Sequence, residues 1–351
     1  MNRRIEWLDA LRGVTMLLVV ANHVAQIGIG IDLKASSSLP LLQLVRMPLF
    51  FFISGFLAYK AGCLWTAAEL GRRTLKKMRV QVLPAFLFLC VSIPLIRPAG
   101  RPFGDTLGRL LGESTKGGYW FTWALLLMLL IYYVACYLGR RREHAVVPGL
   151  FVLSLCLYET VYVPAWAEVI WQHEWVYATS LRLVVTYLPF FLLGNLVRRH
   201  WSAWERAMDS RWLMAVLVVI AFFGAADYLQ WHTLRRVWAN LPRTLAMFAL
   251  LLLVVMAFRH YEAVFSRRHR FGRALQFIGR RTLDIYLLHY LFIPKLPMLK
   301  SFFDDTPRDF LTEQVVFLGI ALVVTAACLL VSALLRTSPF LAKWLFGYEQ
   351  K

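Results

Sequence analysis

The chain has 351 residues, 59% of them hydrophobic and only 17% charged, with a formal net charge of +19. A mean hydropathy of +0.58 excludes a water-soluble globule, because runs of about twenty apolar residues have no polar face to turn to solvent. In such a chain an excess of Lys and Arg signals cytoplasmic loops and anionic lipid before it signals nucleic acid. Cys63, Cys90, Cys136, Cys156 and Cys328 are widely spaced with no CxxC pair. They are expected as buried thiols rather than metal ligands or disulfides.

The first apolar run, WLDALRGVTMLLVVANHVAQIG at 7–28, is long enough to cross a bilayer yet carries Asp9, Arg12 and His23. No small-residue cleavage site closes it, so it is expected to stay on the protein as a helix. Arg12 and His23 stand about three helical turns apart, which puts both on nearly one face, roughly 16 Å apart along the axis. An ionisable group at mid-membrane costs on the order of 3 kcal/mol unless it faces protein or water, so the default reading of such residues is functional. The plainer account pairs Asp9 with Arg12 at the helix mouth and lets His23 reach the far interface.

Further apolar windows follow at 40–59, 80–97, 119–138, 146–163, 178–197, 212–229, 241–258, 282–299 and 314–335. The pattern predicts an all-α polytopic membrane protein of about ten transmembrane helices. Basic residues gather in alternate segments: Arg3 and Arg4, then 60–79, 140–142, 198–211, 259–281 and 336–351. The intervening segments are poorer in them, so both termini are expected to be cytoplasmic. No linker, repeat or low-complexity tract interrupts 1–351, which reads as one domain.

Arg46 falls near the outer end of the second window, where Pro48, Ser54 and Gly55 allow a bend and close packing. The next loop, GRRTLKKMRV, concentrates Arg72, Arg73, Lys76, Lys77 and Arg79. On a helix Arg72, Lys76 and Arg79 share a face. Lipid headgroups explain that charge; a polyanionic cytosolic ligand such as a nucleotide diphosphate is the functional alternative. Tyr119, Trp120 and Trp123 open the fourth window, where an interfacial aromatic belt belongs. The sixth window carries Pro189, Gly194 and Asn195. The ninth carries Asp284 and His289, five residues apart and some 140° around a helix, so the two do not face one site.

These features together resemble the acyltransferase-3 family of membrane acyltransferases. The likeness rests on Arg12 followed by His23 within LDALRG…VVANH, and on PLFFFISGFL from Pro48 to Leu57. Weaker matches come from the basic run ending at Pro84, from YWFTWALL, and from IGRRTLDIYLLHYLF. Many relatives with the MPLFFFISG pattern carry His where this chain has Arg46, which removes a titrating role at that position. The resemblance implies transfer of an acyl group, usually acetyl, from a cytosolic acyl-CoA to a sugar hydroxyl of a surface glycan or lipid-linked precursor. It makes His23 the catalytic histidine and Arg12 its essential partner, with Asp9 beside it.

Such a reaction needs a base near neutral pKa and a cation or donor for the developing charge. Arg72, Arg73, Lys76 and Arg79 are the candidates to hold acetyl-CoA or another acyl-CoA. Arg46, Ser54, Trp120 and His289 are the candidates for the acceptor. No metal is called for. The expected partners are membrane lipids, the acyl-CoA donor and a glycan or glycolipid, in a bacterial inner membrane. The competing reading is a transporter or flippase of a lipid-linked sugar, with Asp9, Arg12, Asp284 and His289 lining a polar path. Against it, no pair of broken helices repeats along the chain, and acidic residues within the windows are few.

Overall fold

A computed structural model describes residues 5–33, 35–96, 100–140, 142–230, 240–304 and 308–347. Of the basic residues used to orient the chain, Arg3, Arg4, Arg141 and Lys351 lie outside the described residues. Among the described residues all regular structure is helical.

The main helices are α1 (Glu6–His23), α2 (Arg46–Ala58), α3 (Ala67–Lys77), α4 (Leu83–Ile96), α5 (Trp120–Leu138), α6 (Glu143–Thr160) and α7 (Leu181–Arg199). They continue as α8 (Trp201–Met208), α9 (Arg211–Gln230), α10 (Leu241–His260), α11 (Arg270–Arg280), α12 (Thr282–Phe292), α13 (Phe310–Leu335) and α14 (Pro339–Phe346). A π turn, Val24–Ile29, prolongs α1, and another, Met78–Val82, joins α3 to α4.

Seven helical stretches among the described residues are long and apolar enough to cross a membrane: Glu6–Ile29, Leu39–Ala58, Ala67–Ile96, Trp120–Leu138, Leu181–Arg199, Leu241–His260 and Phe310–Leu335. The other three apolar windows take different forms. His144–Thr160 is apolar but shorter. The 212–229 window belongs to a pair, Trp201–Met208 and Arg211–Ala226, bent by 79°. The 282–299 window is cut short because Ile293, preceding Pro294, is extended (φ −67°, ψ 114°), as the residue before proline prefers. At 1.5 Å per residue α12 is about 16 Å long, about half of a hydrocarbon core.

The chain forms two compact units, Met1–Phe50 with Ser202–Ala333, and Phe51–Trp201 with Leu334–Lys351. In the first, α1 and α11 meet backbone to backbone. A Cβ on Gly13 would overlap the Leu275 carbonyl, and one on Gly279 the Asp9 carbonyl. Small residues permit this close backbone approach. Gly279→Ala is therefore expected to destabilise the fold by about 1–3 kcal/mol. Gly319→Ala in α13, where nothing lies within 4 Å, is expected to be neutral. Thermal unfolding in detergent checks both.

Helices α1 and α12 run in the same direction, since Arg12 reaches Thr282 while His23 reaches His289. Helix α13 runs the opposite way. Near its start, buried Glu313 accepts hydrogen bonds from the Ser36 and Ser38 hydroxyls and from the Ser37 and Ser38 amides, just beyond the end of α1. Near its end, Ser332 donates to Asp284 in the first turn of α12. The start of α1 and the end of α13 thus lie at one end of this unit.

In the second unit, Gly55 meets the Phe191 backbone and Gly194 the Phe52 backbone. Phe51, Trp120 and Tyr187 stack, with centroids 5.0 Å apart for Phe51–Tyr187 and 5.7 Å for Trp120–Tyr187. Buried Lys116 donates to the carbonyls of Leu111, Glu113 and Ala178, so a charged amine caps two chain segments that would otherwise leave acceptors unmet.

Candidate active site

Helix α1 passes unbroken through Arg12 and His23, so the rise of roughly 16 Å between them stands. At the near end, Arg12 Nη2 donates to Thr282 Oγ1 at 3.0 Å and Nη1 lies 3.8 Å from Asp9. Asp9 is 6% exposed. Beside this pair Asp284 accepts from Arg281 at 3.3 Å and from Ser332. Both carboxylates have cationic partners, as burial demands. The expectation that Asp284 and His289 face different surroundings holds.

At the far end His23 Nδ1 lies 3.0 Å from His289 Nε2, with ring centroids 5.1 Å apart. His289 is fully buried, and its Nδ1 lies 3.0 Å from the Ile285 carbonyl and 2.8 Å from the Tyr286 carbonyl. Carbonyl oxygens only accept, so His289 Nδ1 carries the proton and its Nε2 presents a lone pair. Across the imidazole–imidazole contact the donor must then be His23 Nδ1–H. In the neutral ring that leaves His23 Nε2 unprotonated, and the Tyr290 hydroxyl stands 3.3 Å from it. A backbone-anchored chain of two rings thus fixes a basic nitrogen on a half-buried histidine.

A family model described as an acyltransferase domain, the acyltransferase-3 model, matches residues 5–336. The chain belongs to the acyltransferase-3 family. Neither a curated protein nor a solved structure matches it closely enough to add to this. The protein is an acyltransferase, and its apolar helices mark it as an integral membrane one.

In this acyltransferase the other residues singled out from sequence fall into separate settings. Arg46 opens α2 in the same unit as His23. Ser54, Trp120 and the basic segment belong to the second unit. Trp120 is half-buried in the Phe51–Tyr187 stack. The basic segment is helical, with Arg79 in the π turn that follows Lys77, and Glu69 engages two of its cations: Arg72 at 2.6 Å, and Arg73 as well. Thr66 caps α3 by accepting from the Glu69 amide at 3.2 Å, as an N-cap hydroxyl does. Arg73 also lies over Trp65, 5.5 Å from its centroid. Lys76 and Arg79 remain exposed. Tyr290, Thr282 and Glu69 were not singled out from sequence. Tyr290 adjoins His289 in LLHY, but a tyrosine there reads equally as interfacial.

Proposed function

We propose that this acyltransferase moves an acyl group, acetyl in the first instance, from acyl-CoA to a sugar hydroxyl of a cell-envelope glycan or lipid-linked precursor in a bacterial inner membrane. The observation that carries the reading is the lone pair held on His23 Nε2 by the His289 hydrogen bond. The nitrogen takes the proton of the acceptor hydroxyl as its oxygen bonds to the thioester carbonyl carbon. When the carbon–sulfur bond breaks, the imidazolium returns that proton to the thiolate.

Arg12 acts elsewhere on the donor. A guanidinium about 16 Å along the same helix does not reach the carbonyl at His23. Its charge suits the polar length of the coenzyme arm, with Asp9 and Thr282 orienting it. The 3′,5′-nucleotide end of CoA is assigned to Arg72, Arg73, Lys76 and Arg79, where phosphates compete with Glu69 for Arg72. Arg72→Ala combined with Lys76→Ala is expected to raise KM for acetyl-CoA about tenfold at unchanged kcat, measured by thiol release. The single domain crosses the membrane about ten times with both termini cytoplasmic. The loop charges support this, as does the placement of the start of α1 and the end of α13 at one end of their unit.

The test uses purified protein in nanodiscs of envelope lipid from the source cell, supplied with acetyl-labelled acetyl-CoA. Label must appear in the glycolipid fraction, and acetyl-CoA must raise the thermal midpoint. Absence of both effects sinks the proposal, and a flippase would show neither.

A further inference from the structure

The group that stands on the basic nitrogen is the next residue along α12. Tyr290 donates its hydroxyl to His23 Nε2 at 3.3 Å, while its ring lies 4.1 Å from His289 and 5.0 Å from His23, centroid to centroid. A neutral imidazole nitrogen offers a single in-plane lone pair. The Tyr290 hydroxyl, within hydrogen-bond distance of that nitrogen, therefore stands beside the position that an acceptor hydroxyl must take and competes for it. At 3.3 Å the bond is long for a hydroxyl donor, so a better-placed alcohol displaces it.

Water is also an alcohol-like acceptor. With the lone pair open, water gives its proton to Nε2 and its oxygen bonds to the thioester carbonyl. The carbon–sulfur bond then breaks and the thiolate recovers the proton, leaving a carboxylic acid and free CoA. We propose that Tyr290 is a guard: it holds the acceptor's place on His23 and keeps water from the base until a sugar hydroxyl displaces it. This inference rests on the reading of His23 as the base. Tyr290 is half-buried against two rings, so Tyr290→Phe removes the hydroxyl and keeps the packing.

The test compares wild type and Tyr290→Phe in nanodiscs of plain phospholipid, without acceptor, supplied with acetyl-labelled acetyl-CoA, and counts label released as acetate. The hydrolysis rate is expected to rise about fivefold, the population change from losing one ordinary hydrogen bond. An unchanged or lower rate overturns the guard. Tyr290→Phe with His23→Ala separates the two claims. Hydrolysis that stays raised without His23 overturns the base and the guard with it. An unchanged hydrolysis rate in Tyr290→Phe, while His23→Ala abolishes transfer in nanodiscs of envelope lipid, overturns the guard alone.

Discussion

His23→Ala is expected to lower kcat for acetyl transfer about a thousandfold, within the 10²–10⁴ range for loss of a positioned general base, with KM for acetyl-CoA nearly unchanged. The separation follows from the geometry. His23 sits at the end of α1 that faces His289 and Tyr290, whereas the charges suited to the coenzyme belong to other residues, Arg12 about three turns along the same helix and those of the 72–79 segment. Removing the imidazole deletes a proton acceptor without touching those cations. His23→Gln is expected to be nearly as slow: its amide keeps a polar group in the space, but amide nitrogen has no basic lone pair. Label transfer to glycolipid, with the thermal midpoint as a check on folding, decides the matter. A variant that transfers at near the wild-type rate would remove the base from the scheme.

The path from sequence to this site was legible where helical periodicity alone carried the information. Arg12 and His23 share a face because both lie on one helix, and the structure keeps that helix unbroken through both. The apolar windows were visible because lipid admits few other patterns. Their fates were not. The shortening of the ninth window depends on Ile293 adopting the extended form before Pro294, and the 79° bend near 209 depends on local backbone. Neither changes hydropathy. The basic segment was readable as charge, but Glu69 lies before the run of cations, and its hold on both Arg72 and Arg73 emerges only once α3 winds. The pairing of His23 with His289 spans most of the chain. No spacing rule reports a contact between residues so far apart in sequence, and His289 read from its own helix was only a lone mid-span histidine. Read from sequence as a group for the acceptor, His289 is fully buried and meets His23.

His289→Ala is expected to lower kcat about a hundredfold while leaving KM for acetyl-CoA within about twofold. His289 is a positioning residue, and its effect runs through the proton on His23. Its Nδ1–H is tied to the Ile285 and Tyr286 carbonyls, and this forces its Nε2 to accept from His23 Nδ1–H. Without that acceptor the His23 ring is free to carry its proton on Nε2, where the lone pair is needed, and to rotate away from the acceptor. His289→Gln offers an amide oxygen in place of Nε2 and is expected to recover part of the lost rate. His289→Leu fills the volume without an acceptor and is expected to recover none. A role in packing alone would rank Leu at or above Gln by midpoint and rate together. A role in placing the proton ranks Gln above Leu in kcat even where Leu is the more stable protein. Because His289 is fully enclosed and donates to main-chain carbonyls that no side-chain substitution removes, the acceptor polarity of its Nε2 is set by the turn of α12 itself.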